Sequence, residues 1–176
     1  MKTLKKTASD INDVITITVT DGMDTWEETL PVYDEDLEDL TLLDVDWEFK
    51  NLIQDYSLNE LNDLANRIED LDQDAYYAFI TYLDKVEDDI DKAFEIADNQ
   101  DFVIYDDCYN IADFGGEYWT RNVDDIGINI PELIDVALSN CMDWEKFGNY
   151  IERYLSSIEI GVFPCSVRSD MYIEFF

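Results

Sequence analysis

The chain has 176 residues and a formal net charge of −32, from 43 Asp and Glu against 11 Lys and Arg, with no histidine. That balance excludes binding of nucleic acid by phosphate neutralisation, which needs clustered cations. The missing histidine removes the usual Ser–His and Cys–His nucleophile pairs. With 52 Ile, Leu, Val and Phe residues and 14% aromatics, the chain also carries far more apolar content than an acidic disordered segment. The acids are spread along it. Residues 7–49 hold 14 acids and no base, residues 51–114 hold 18 acids and 3 bases, and residues 115–176 hold 11 acids and 4 bases.

Lys2, Lys5 and Lys6 open the chain without a following apolar region, so no secretory signal is expected. Residues 14–19 alternate Ile15, Ile17 and Val19 with threonines, the period of a half-buried strand. Asp21-Gly22 marks a turn. Further strands are expected over Trp26–Leu30 and Val45–Leu52, with a short acidic helix over Glu35–Leu42 between them.

Ser57 followed by Glu60 is a capping-box signature. Behind it Leu58, Leu61, Leu64, Ala65, Ile68 and Leu71 form one helical stripe, with Glu60, Asp63, Arg67 and Asp70 opposite. Residues 75–83 are apolar around nearly the whole circumference, which predicts a buried helix. Over 88–98, Ile90, Ala93, Phe94 and Ala97 share the inner face, and Asp88, Asp91, Glu95 and Asp98 share the outer one.

Phe102–Tyr105 reads as a strand. Helices are expected over about 107–114, over 131–140 with Pro131 in the favoured first position, and over 143–156. The isolated Gly115-Gly116 pair reads as a helix stop, and residues 161–176 as a hairpin. The fold class is therefore α+β in three parts: an N-terminal α/β domain with a basic start (1–57), a short helical bundle (58–100) and a C-terminal α/β domain (101–176).

The acidic faces are the candidate functional element. Helical neighbours at i+3 and i+4 are separated by roughly 4.5–6 Å of rise, against about 3.4 Å of axis per phosphate on one strand of B-DNA. The four carboxylates Asp88, Asp91, Glu95 and Asp98 thus approach the linear charge density of one DNA strand on a rigid scaffold, and Glu35, Asp36, Glu38 and Asp39 with Glu60, Asp63 and Asp70 are the other candidate partner-binding acids. A solvated acidic face is the bland alternative for any one helix, and a salt-adapted origin the bland alternative for the whole chain. No metal site is expected, because neither Asp44-Val45-Asp46 nor the run 84–91 is followed by the central glycine of a calcium loop. No cofactor is expected, since no Gly-rich phosphate loop is present. Cys108, Cys141 and Cys165 read as reduced thiols. The partner implied is a basic protein surface, neither nucleic acid nor membrane.

Residues 128–154, INIPELIDVALSNCMDWEKFGNYIERY, resemble the region of ArdA antirestriction proteins that carries their antirestriction motif: a proline-initiated helix, then an acidic-aromatic run with an aromatic-Gly pair. Pro131, Asp143-Trp144-Glu145 and Phe147-Gly148 stand at the matching places. Residues 105–114 and 53–68 resemble neighbouring elements of the family, and Gln54 replaces the histidine often found before Asp55-Tyr56. The resemblance covers about residues 45–176. It implies a non-catalytic, cytoplasmic DNA mimic, a curved homodimer occupying the DNA-binding groove of type I restriction-modification enzymes. Ile134, Val136, Trp144, Phe147 and Tyr150 belong to the expected dimer contact. A mimic or acidic interaction protein directed at another basic DNA-binding protein is the alternative.

Overall fold

A computed structural model describes residues 15–32, 37, 39–122, 140–158 and 160–176. The expected positions Glu35, Asp36, Glu38, Pro131, Ile134 and Val136 lie outside the described residues, as does the body of the helix expected over 131–140. Among the described residues, five complete α-helices and two small antiparallel three-stranded sheets make the fold α+β. The chain divides into two compact units at Tyr76–Tyr77, so the expected bundle segment 58–100 contributes helices to both.

In the first unit, β1 (Ile15–Thr20) is the central strand, flanked by β2 (Thr25–Leu30) and β3 (Thr41–Asp46). Ile15, Ile17 and Val19 are buried at 0–1% exposure. The third strand starts earlier than expected and ends before Trp47, and Lys50–Leu52 forms a 3-10 turn instead. Thr41 and Leu42, expected at the end of a helix, belong to this strand.

A bulge interrupts the pairing of β3 with β1. Val45 pairs with Ile17 and Leu42 with Val19, leaving Leu43 unpaired between them. The extra residue turns both Leu42 and Val45 toward the face of Ile17 and Val19, which breaks the simple alternation. Leu43 is 55% exposed.

Helix α1 (Leu58–Glu69) buries Leu58, Leu61, Leu64, Ala65 and Ile68. Its N-terminus carries the complete capping box: the Glu60 amide donates to Ser57 Oγ, and the Ser57 amide donates to the Glu60 carboxylate at 2.7 Å. Asn62 ties this helix to the exit of β2. Its Oδ1 accepts from the Val32 amide at 2.7 Å, and its Nδ2 donates to the Val32 carbonyl at 3.2 Å.

Helix α2 (Gln73–Lys85) is buried without interruption from Ala75 to Leu83. In the second unit Phe79 packs on Phe94 of α3 (Ile90–Asn99), with ring centroids 4.5 Å apart. The second sheet has β6 (Met171–Phe175) between β4 (Phe102–Asp106) and β5 (Gly161–Pro164). Strand β6 is covered on both faces. Phe175 meets Tyr82 of α2 edge-on, whereas Tyr172 on the opposite face stacks on Phe114 of α4 (Ile111–Asn122). Helix α5 (Trp144–Ile158) completes that second layer, contributing Ile151 and Leu155 to a core with Tyr105, Cys108, Phe114 and Val162.

The Gly115-Gly116 pair does not stop a helix; it lies inside α4, which runs to Asn122. A Cβ on Gly115 would stand 2.8 Å from the Trp144 carbonyl oxygen and 2.9 Å from the Gly148 amide nitrogen, both backbone atoms of α5. The glycine is there for the close approach of two helices. That need is invisible in local sequence.

Candidate partner-binding surface

The outer face of α3 is built by segregation. Ile90, Ala93, Phe94, Ile96 and Ala97 are buried, which turns Asp91, Glu95 and Asp98 to solvent, with Asp88 exposed just ahead of the helix. Asp89, whose role the sequence reading missed, is the N-cap, accepting from the Lys92 amide at 3.0 Å. Aspartate with its neighbours three residues on is the readable signal for that cap. On α1 the same segregation exposes Glu60, Asp63 and Asp70. Glu60 is partly committed elsewhere: hydrogen bonds from the Ser57 hydroxyl and then the Ser57 amide hold its carboxyl below the usual range. Asp39 is exposed.

Arg67 on α1 and Asp98 on α3 each have a partner, and five further ion pairs lie away from these faces. They join Lys85 to Asp84, Arg121 to Glu117, Lys146 to Asp143, and Arg168 to Asp106 and Asp170. Asp63, Asp70, Asp88, Asp91 and Glu95 form no ion pair among the described residues. Their charges face water uncompensated.

A further acidic face is on the first sheet. Register places Asp46 beside Thr16, and Asp44 and Glu27 on either side of Thr18, so these three carboxylates share the threonine face. The alternating ITITVT pattern signalled that face, but only the pairing register shows which acids join it.

The motif residues divide by role. Asp143 opens α5, accepting from the Lys146 amide at 3.2 Å and pairing with the Lys146 ammonium at 2.6 Å; its carboxyl is lowered, chiefly by the side-chain bond to Lys146. Glu145 is exposed, and Trp144 is half-buried against Phe147, which also meets Trp119 of α4 edge-on. Gly148 is buried against the backbone of Ile111. Tyr150 points away from this crossing and is 66% exposed, and Tyr154 and Ile158 continue the same stripe at 48% and 56%.

Among the described residues, no three His, Cys, Asp or Glu side chains converge as metal ligands, and no helix is long and apolar enough to cross a membrane. Comparison with family models, curated proteins and solved structures gives no match.

Proposed function

We propose that this chain is a DNA mimic, which occupies the DNA-binding groove of a type I restriction-modification enzyme in the cytoplasm and inhibits it without chemistry. The observation that carries the reading is the segregation on α1 and α3, where buried apolar faces hold carboxylates outward on the exposed faces of the helices. A folded domain with this charge works against its own compactness, so the charge itself has a use. The target class comes from the ArdA resemblance of residues 128–154; the acidic faces alone suit other basic DNA-binding proteins equally.

The active unit in this proposal is a homodimer. Two chains of charge −32 can meet only where acids are sparse. The stripe of Tyr150, Tyr154 and Ile158 on α5, with Lys146 and Arg153 alongside, is such a place.

The test is titration of a type I enzyme with the protein at several DNA concentrations. Stoichiometric inhibition that DNA competes away supports the reading. Capture of nucleoid proteins or of a single repressor from a host lysate, with the restriction enzyme unaffected, supports the alternative target.

A further inference from the structure

The hairpin between β1 and β2 turns at Asp21-Gly22, the one Asp-Gly linkage in the chain. Such a linkage is chemically weak. The Gly22 nitrogen attacks the neutral Asp21 carboxyl and closes a succinimide ring through a new N–Cγ bond. One carboxyl oxygen leaves as water with the carboxyl and amide protons. Water then reopens the ring. Cleavage at Cγ restores aspartate, whereas cleavage at the Asp21 main-chain carbonyl leaves isoaspartate, with the backbone routed through the side chain and no net change in mass. Glycine in second place has no Cβ to hinder the attack.

Packing does not cover this linkage. Asp21, Gly22 and Met23 are exposed, Met23 at 92%, and a Cβ built on Gly22 would meet nothing within 4 Å. Hydrogen bonds occupy both reacting groups instead. The Gly22 amide donates to Thr20 Oγ1 at 3.0 Å, and the Thr20 hydroxyl is itself fixed by donating to the Asp24 carbonyl at 2.6 Å. Asp21 Oδ1 accepts from the Met23 and Asp24 amides, both at 2.8 Å. Those two bonds, Asp24 first, hold the Asp21 carboxyl below its usual range and so deplete the neutral form that reacts. Ring closure removes the Gly22 amide proton and swings Cγ onto the nitrogen, so it forfeits the Thr20 bond and pulls Oδ1 from its two amides.

We propose that the hydrogen bonds at Thr20 and Asp21 make the hairpin tip a protective turn, and that Asp21-Gly22 is a latent isomerisation site which reacts when the turn opens. Thr20 acts as a positioning residue, holding the Gly22 amide. The consequence lies in the first sheet. Isoaspartate adds a backbone carbon to the loop 21–24, next to Thr20 and Thr25, which form the last pair of the β1–β2 ladder. The register of that ladder keeps Ile15, Ile17 and Val19 on the buried face. This inference stands apart from the proposed partner and target.

The experiment incubates the whole protein beside a free, end-capped peptide of residues 18–26 at mildly acidic pH. Isoaspartate at position 21 is read by peptide mapping, where the isomer elutes apart at unchanged mass, and by enzymatic methylation of isoaspartate. The folded protein should react at least about tenfold more slowly than the peptide, the scale of a charge-assisted hydrogen bond. Urea that unfolds the chain should bring it to the peptide's rate. Thr20→Val should accelerate the reaction about fivefold, the scale of one neutral hydrogen bond, whereas Thr20→Ser, which keeps the hydroxyl, should stay slow. Thr18→Val, on the same face of β1, controls for general loosening of the strand and should leave the rate unchanged. Retained circular dichroism checks the fold of each variant. A wild-type rate equal to the peptide's, Thr20→Val as slow as wild type, or Thr18→Val as fast as Thr20→Val would overturn the proposal.

Discussion

Gly148 of α5 lies directly against the carbonyl oxygen of Ile111 in α4, leaving no room for a Cβ, and Gly115 meets the α5 backbone from the other side. Two helices are thus in backbone contact at the Phe147-Gly148 pair. The pair that the ArdA resemblance brings forward is, within this chain, a packing device.

Substituting Ala for Gly in an exposed helix normally stabilises by about 0.5–1 kcal/mol. Gly116 has nothing within 4 Å of a built Cβ, so Gly116→Ala should follow that rule and raise the melting temperature. Gly148→Ala should do the opposite, costing about 1–3 kcal/mol through overpacking against immobile backbone. Thermal unfolding of the two variants side by side checks this. A stabilised Gly148→Ala would show that the helices separate easily.

A buried polar contact gives a second prediction. The Tyr105 hydroxyl donates to the Glu174 carboxylate at 2.6 Å, and Glu174 is only 5% exposed. Tyr105→Phe takes that donor from a buried carboxylate and should cost about 1–3 kcal/mol in denaturant unfolding. Tyr150→Phe, on an exposed ring, should be silent. Burial, and then the bond to Glu174, push the Tyr105 phenol far above its ordinary range, so Tyr105 should stay protonated in alkali that ionises a free phenol.

Charge repulsion sets the response to solvent. Added salt should raise the melting temperature steadily toward molar concentration, because repulsion beyond a few ångströms is screened. Mild acidification from neutrality should stabilise as net charge falls. The gain reverses lower down. Glu60, Asp84, Asp143 and Asp170 have carboxyls held below 4.5 or 3.8 in the fold, each through side-chain hydrogen bonds first. Their contribution is present above those unfolded values and is lost as pH falls through the depressed folded ones. A melting temperature flat in salt, or one falling continuously from pH 7 to 4, would contradict this.

Assembly is tested by charge insertion. If copies meet through the exposed stripe on α5, sedimentation at micromolar concentration and moderate salt should give a dimer. Tyr150→Glu with Tyr154→Glu should give a folded monomer, since both rings are outside the core. A wild-type monomer would remove the dimer from the proposal.

Where spacing alone determines an element, the sequence was readable. The Ser57–Glu60 box, the stripe from Leu58 to Ile68, the buried run 75–83 and the two faces of α3 depend on neighbours three or four residues apart, and all lie as expected. The strands at 15–20 and 25–30 and the C-terminal hairpin were legible from alternation and turns. What was misread is tertiary. The Leu43 bulge hid the register of β3, Gly115-Gly116 answers to α5, and α4 begins at Ile111 and ends at Asn122 rather than spanning 107–114. The acids beside Thr16 and Thr18 come together only through strand pairing.

The central claim is that inhibition comes from many similar charge contacts, and one titration series tests it most directly. Inhibition of a type I restriction-modification enzyme would be measured at two salt concentrations for Asp88→Asn, Asp91→Asn, Glu95→Gln and Asp98→Asn, singly and combined. Each single change should weaken inhibition by less than about fivefold, the scale of an exposed charge contact. The combined variant should weaken it progressively further and reduce its salt dependence in step. One substitution that abolishes inhibition while the fold persists, or inhibition that ignores DNA concentration, would contradict the account.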